Sequence, residues 1–246
     1  MKPEFYDSYW RSGLHAGGEW SHEEFGKVMG LLKGRKRVLD YGCGLGYSYQ
    51  RLLTGYVDEY VGADVSEFAL QDLNAKGLAG LSIGPQSRIM AEADSFDGAT
   101  CIEVFEHLFD PLEAACEIYR VLQPGGVLVA SVPNFGYHPW RLQALIRARV
   151  PSEPENPKKN FFNGVHIRYF NTSTFRRLLH DAGFSNISVY SFDNSSIWDV
   201  FLAFSYLGLI SNWARKHLPS VLHLRFLQKL MPCLFAYRIR AVAWKK

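Results

Sequence analysis

The sequence predicts an α/β domain: a seven-stranded, mostly parallel sheet with helices on both faces, its last strand antiparallel and preceded by a helical insertion. Three observations predict it. Apolar, strand-like runs alternate with helix-period segments from residue 36 to about 132, the pattern of parallel βαβ units joined by right-handed crossovers. A glycine-rich turn follows the first of these runs directly. After Pro133 the pattern changes, and the chain closes on residues 235–244 (FAYRIRAVAW), which alternate as a strand.

The elements follow in order. Residues 37–41 (RVLDY) are a short apolar run stopped by glycine, hence a buried strand. Residues 45–53 read as a helix and 60–64 (YVGAD) as the second strand. Ser66 can cap a helix over 67–76. Residues 81–84 form a weak third strand and 99–103 (ATCIE) the fourth. Residues 111–122 are amphipathic, and Pro111 suits a first helical turn. Pro124-Gly125-Gly126 turns the chain into a fifth strand over 127–132. Beyond it come a basic helix over 137–149, a Pro- and Asn-rich loop over 151–164, and a helix over 172–182 ending at Gly183. A sixth strand over 187–192 precedes an aromatic, basic helical stretch over 196–232.

Composition narrows the class. At 246 residues, 48% hydrophobic and 21% charged, the chain suits one globular domain with an appended piece. Cys43, Cys101, Cys116 and Cys233 form no C-x-x-C pair, which argues against a disulfide framework or a cysteine zinc site and for a reducing, cytoplasmic setting. The first ten residues lack the apolar core of a signal peptide. The longest apolar stretch, 197–213, carries Asp199 and falls short of the roughly 20 residues of a spanning helix. Charge is uneven: residues 1–150 hold 14 Lys+Arg against 19 Asp+Glu, whereas 151–246 hold 13 against 5. A basic second part suits an anionic acceptor, a membrane surface or nucleic acid, or is simply a solvated face. The aromatic and basic residues of 197–232 fit peripheral membrane contact, a cap over substrate or a dimer face.

The first strand and its turn read VLDYGCGLG. Gly42, Gly44 and Gly46 let the backbone bend sharply and approach a ligand closely. Asp64 ends the next strand, where a carboxylate accepts hydrogen bonds from ribose hydroxyls. Nicotinamide and flavin proteins share both features. Two others separate them: the spacing is G-x-G-x-G rather than G-x-G-x-x-G, and Asp40 stands where a carboxylate would repel a pyrophosphate but suit an ammonium and a sulfonium.

With EVFEHLFDP after the fourth strand, the chain resembles the class I S-adenosylmethionine-dependent methyltransferases, a Rossmann-like family, in its quinone-biosynthesis and methionine-biosynthesis-associated branches. VLDYGCGLG, GADVS, SFDGATCIEVFEHLFDP, LQPGGVLVASVPN and HIRYFNTSTFRRLLHDAGF carry the resemblance. It implies that Asp40 and the turn, Tyr41, Gly42, Cys43, Gly44 and Gly46, hold the methionine end of S-adenosylmethionine. It also implies that Asp64 holds the ribose, that Val65 packs near the adenine, and that Glu103 begins a loop closing over the cofactor. An aromatic helix within residues 1–35, bearing Phe5, Tyr6, Tyr9 and Trp10, would form a lid on the core of 36–195. Residues 196–232 would be a cap or interface, and 233–246 the last strand. One departure stands out: the family's acidic residue after the third strand, near the adenine amino group, is replaced by Gly84-Pro85, with Asp94 as a substitute.

Methyl transfer to a hydroxyl needs a base or a metal. His107 is the candidate base. Glu103, Glu106 and His107, one helical turn beyond a strand end, together with His166, also suit a divalent cation such as Mg²⁺, Mn²⁺ or Zn²⁺. This arrangement is similar to metal-assisted 2′-O-methyltransferases of small RNA and to quinone-pathway O-methyltransferases. The plainer alternative has the two glutamates capping a helix and His107 packing on Pro111. Asn134, Tyr137, His138 and Trp140 follow the fifth strand on the substrate side, and the loop 151–164, with Lys158 and Lys159, could gate the pocket. The expected function is O-directed methylation of a small-molecule, lipid-linked or glycan acceptor. Rivals are an RNA 2′-O-methyltransferase, a non-catalytic cofactor-binding partner protein and a nicotinamide oxidoreductase. Modest total charge and the lack of an RNA-binding module weigh against nucleic acid.

Overall fold

A computed structural model describes residues 3–12, 30–48, 50, 53–137, 141, 166–191 and 238–246. Its sheet comprises β1 (Arg35–Tyr41), β2 (Val57–Asp64), β3 (Ala79–Ser82), β4 (Phe96–Ile102), β5 (Leu122–Pro133), β6 (Ser185–Ser191) and β7 (Arg238–Trp244). The strand order is β3-β2-β1-β4-β5-β7-β6. Pairs among β1–β5 are parallel, and β7 runs antiparallel to both β5 and β6. The fold is thus the expected Rossmann-like one. The order reverses between β1 and β4, so their C-terminal ends diverge into a crevice, the usual ligand position in open α/β sheets.

Alternation along the strands fills two cores. Leu39, Cys101, Ala130, Ala241 and their neighbours face one side, with Ile118 and Phe175 of the covering helices. Val38, Ile102, Val129 and Val242 face the other, with Leu73. The helices are α1 (Pro3–Arg11), α2 (Glu67–Ala75), α3 (Pro111–Val121) and α4 (Thr172–Asp181). Side chains cap three of them. Ser66 Oγ accepts from Ala69 N, Asp110 accepts from Leu112 N and Glu113 N, and Asn171 forms a capping box with Thr174.

Three differences from expectation have physical causes. β3 starts at Ala79, earlier than periodicity indicated, because Gly80 leaves room for Leu70 and Asn74 of α2. The Pro124-Gly125-Gly126 turn is a bulge inside β5: Leu122 pairs with Phe96 and Val127 with Gly98, so the extra residues loop out, with Gly125 at φ +77°. Asp94 does not stand in for the adenine-side acid. It lies at the N-terminal end of β4, bonded to Lys245 at 2.7 Å, across the sheet from the crevice. Apart from Tyr137 and Arg141, the expected helix over 137–149, the loop 151–164 and the insertion 196–232 lie outside the described residues, as do parts of the helix over 45–53. Among the described residues no helix is long and apolar enough to cross a membrane.

Candidate active site

The crevice is built from four strand ends. Beyond β1 the turn carries Gly42, Gly44 and Gly46 at φ +76°, +50° and +76°. A Cβ at Gly42 would overlap the side chain of Val104, and one at Gly44 the indole of Trp10, so both approaches require glycine. Asp64, at the end of β2, is 5% exposed. Its Oδ2 accepts from Gly44 N at 2.8 Å and its Oδ1 from Ser66 N at 2.9 Å. Burial pushes its carboxyl up, against the pull of backbone donors from Ser66, Gly44 and Val65. The carboxylate therefore fixes the turn while keeping further lone pairs for a ligand.

Asp40 points to the face of β1 opposite Leu39 and Tyr41, with Tyr60 Oη donating to it at 2.8 Å and Thr100 Oγ1 at 2.7 Å. Burial pushes its carboxyl up to about 6, with the two hydroxyls opposing. Tyr41 and Cys43 turn away from the crevice. The Tyr41 hydroxyl donates to Ser87 O at 3.0 Å, and the Cys43 thiol packs where Gly62 lacks a side chain. Both side chains are thus taken up in the core. Val65 is half-buried in the link from β2 to α2.

Beyond β4 the chain makes one 3₁₀ turn, Phe105–His107. Glu106 is 1% exposed, and neither carboxylate oxygen has a hydrogen-bond partner among the described residues. Burial raises its pKa well above the usual carboxylate range, and the nearby charge of Glu103 adds to this. His166 enters beside it because Ile167 N and Arg168 N both donate to Glu106 O, at 3.0 and 3.1 Å. The His107 and His166 rings stand 5.1 Å apart. Burial, then His107, then Arg238 lower the His166 pKa to about 4, so it is neutral at physiological pH. Ligand atoms of Glu106, His107 and His166 lie within 4.8 Å of one another.

Glu103, expected beside them, is held elsewhere. Its φ is +56°, and its carboxylate takes Ser131 Oγ at 2.8 Å and Arg238 Nε at 3.2 Å. Asn134 is fully buried, its Oδ1 accepting from Gly136 N, so its side chain shapes the turn after β5. Two residues not expected from the sequence, Arg238 and Ser131, take part, and Tyr6 of the expected aromatic helix joins them. Arg238 and Ser131 hold Glu103, and Tyr6 of α1 sits close enough to Asp64 and Glu106 that both charges raise its pKa, after burial, to about 12. Two arginines at alternate positions of an otherwise apolar final strand were the available signal for Arg238.

Residues 18–189 match the family described as Methyltransferase domain. The chain is 36% identical over 105 residues to a ubiquinone biosynthesis O-methyltransferase of Hahella chejuensis, covering 40% of this chain and 44% of that protein. It is 32% identical over 132 residues to a tRNA U34 carboxymethyltransferase of Cellvibrio japonicus, covering 49% and 41%. The chain spans about half the length of the curated relatives it matches. Among solved structures, an S-adenosylmethionine-dependent methyltransferase of Thermotoga maritima superposes with a TM-score of 0.60 over 99% of this chain and 97% of that one, at 18% identity, a likeness of fold.

Proposed function

The chain belongs to the methyltransferase-domain family, the class I S-adenosylmethionine-dependent methyltransferases, and from that premise we propose that it moves the sulfonium methyl to an oxygen of a small-molecule, lipid-linked or glycan acceptor. The observation that carries the oxygen-directed reading is the trio Glu106, His107 and His166, set across the crevice from the turn and Asp64. The partial match to the ubiquinone O-methyltransferase supports it.

The residues divide the work. Asp64 offers its remaining lone pairs to the ribose hydroxyls, and the glycine turn lets the backbone close on the methionine end. Asp40 supplies negative charge beneath the ammonium group. In-line displacement then needs an acceptor oxygen aligned with the methyl and water excluded. The trio provides the acceptor side, and His107, with 29% of its side chain exposed, is the member that reaches the mouth.

The trio also fits a divalent cation. A carboxylate buried with neither oxygen hydrogen-bonded among the described residues, next to an imidazole kept neutral, has the chemistry of a cation's donor set. Glu106, His107 and His166 would hold the ion, and Glu103 would not, being committed to Ser131 and Arg238. A cation bound there would polarise the acceptor hydroxyl and lower its pKa.

The test is transfer of labelled methyl from S-adenosylmethionine across phenolic, lipid-linked and glycan acceptors, before and after exhaustive chelation. The expected result is O-methyl product, lost on chelation and restored by Mn²⁺, Mg²⁺ or Zn²⁺. Full turnover after chelation would remove the cation, and exclusive N- or C-methylation would remove the oxygen-directed reading.

A further inference from the structure

The helix α1 stands in the cofactor crevice. The indole of Trp10 lies directly against Gly44, filling the space that the absent Cβ leaves on the turn. Tyr6, one turn earlier on the same face of α1, is close enough to Asp64 and Glu106 to feel both charges. The outer edge of the helix is latched. Asp7 Oδ1 accepts from Ser66 Oγ at 2.5 Å and from Phe68 N at 3.1 Å, and the Arg11 guanidinium stands 4.7 Å from the Phe68 ring centre. The latch therefore grips the first turn of α2, immediately beyond Asp64.

A lid covers a bound ligand, whereas a plug replaces it, and the seating of the Trp10 indole on Gly44, with Asp64 buried beside it, favours the second. A carboxylate that takes both ribose hydroxyls must present its surface to the nucleoside. Asp64 presents almost none here: it is 5% exposed and bonded inward to Gly44 N and Ser66 N. The turn meets an indole where it would meet the cofactor. A nucleoside seated on Asp64 and on the face of Gly44 would compete with the docked helix for these groups.

We propose that α1 is an autoinhibitory plug: Trp10 and Tyr6 occupy the nucleoside's seat, the Asp7–Ser66 latch holds them there, and S-adenosylmethionine binds only after α1 has withdrawn. This rests on the cofactor assignment above and reverses the expected role of α1 as a lid. Apparent affinity is the intrinsic affinity multiplied by the fraction of molecules with α1 released. Anything that frees α1, including an acceptor or a partner that captures its aromatic face, raises cofactor occupancy.

The experiment is calorimetric titration of the full chain with S-adenosylhomocysteine, alongside hydrogen exchange of the α1 amides. Asp7→Ala and Trp10→Ala should each tighten binding, Asp7→Ala by about tenfold for the loss of a charged acceptor serving two donors. Asp7→Asn should fall between Asp7→Ala and the parent. Ligand should raise exchange across residues 3–11. Weaker binding by Trp10→Ala in a protein of unchanged Tm, or α1 amides protected by ligand, would overturn the plug while leaving the cofactor assignment intact. Absence of binding by parent and variants alike would remove both.

Discussion

Replacing Asp40 with asparagine should make the unliganded protein more stable and its cofactor complex weaker. Asp40 is 1% exposed, and burial pushes its carboxyl from 3.8 to about 6. The folded state therefore keeps the proton longer than the unfolded chain does. The associated stability is fully present below pH 3.8 and is lost as pH rises through 6. A gap of roughly two pH units corresponds to about 3 kcal/mol held against folding at pH 7. Asparagine removes that penalty but gives up the charge-assisted part of the bonds from Tyr60 and Thr100. The net gain should be about 1–2 kcal/mol, a rise in Tm of roughly 3–6 °C for a domain of this size. Thermal and urea unfolding between pH 4 and pH 8 measure it, and the parent and variant curves should converge near pH 4. The affinity for S-adenosylhomocysteine should fall about tenfold or more at pH 7, because the ammonium loses its counter-charge. A variant less stable than the parent at pH 7, or a difference constant across the pH range, would refute the argument.

Other perturbations have equally definite outcomes. Glu117, buried on α3, accepts from Ile89 N at 3.0 Å and from Arg120 Nη2 at 2.7 Å, which pins the β3–β4 connection. Burial would raise its carboxyl, but Arg120, Ile89 N and Arg88 outweigh it and hold it low. Its contribution is present above pH 4.5 and lost as pH falls through the lowered value, and Glu117→Ala should cost about 2–4 kcal/mol in urea unfolding at pH 7. A Cβ at Gly62 would press on Leu73 Cδ2 and Cys43 Sγ, so Gly62→Ala should lower Tm through overpacking of about 1–3 kcal/mol. Glu106→Gln, neutral and of the same shape, should raise apo stability yet abolish Mn²⁺ binding measured by electron paramagnetic resonance. Retained Mn²⁺ affinity would place the ion elsewhere.

Local signals made the parallel half of the fold legible. β1 stops before Gly42 and β2 ends on Asp64, α2 and α3 begin at Ser66 and at Asp110-Pro111, and α4 stops before Gly183, with φ +103°. Each is a property of a few adjacent residues. What escaped the sequence is non-local. The Glu103–Arg238 ion pair joins positions 135 apart, so nothing near EVFEH shows that Glu103 is already engaged. Asp94 resembled an adenine-side acid by its place in the chain alone, since the register of Lys245 beside it is set only when β7 inserts next to β5. The aromatic residues of α1 were evident, but whether they cover or fill the crevice depends on how Asp7 meets the cap of α2, a contact 59 residues apart.

The measurement that bears most directly on the account is the affinity of S-adenosylhomocysteine for the parent and for Asp64→Ala, with circular dichroism and Tm confirming that the variant is folded. Two charged hydrogen bonds to the ribose predict binding weakened about 100-fold in the variant and no measurable binding of NAD by either protein. Equal affinity in parent and variant, or preference for NAD, would contradict a nucleoside held by the carboxylate at the end of β2.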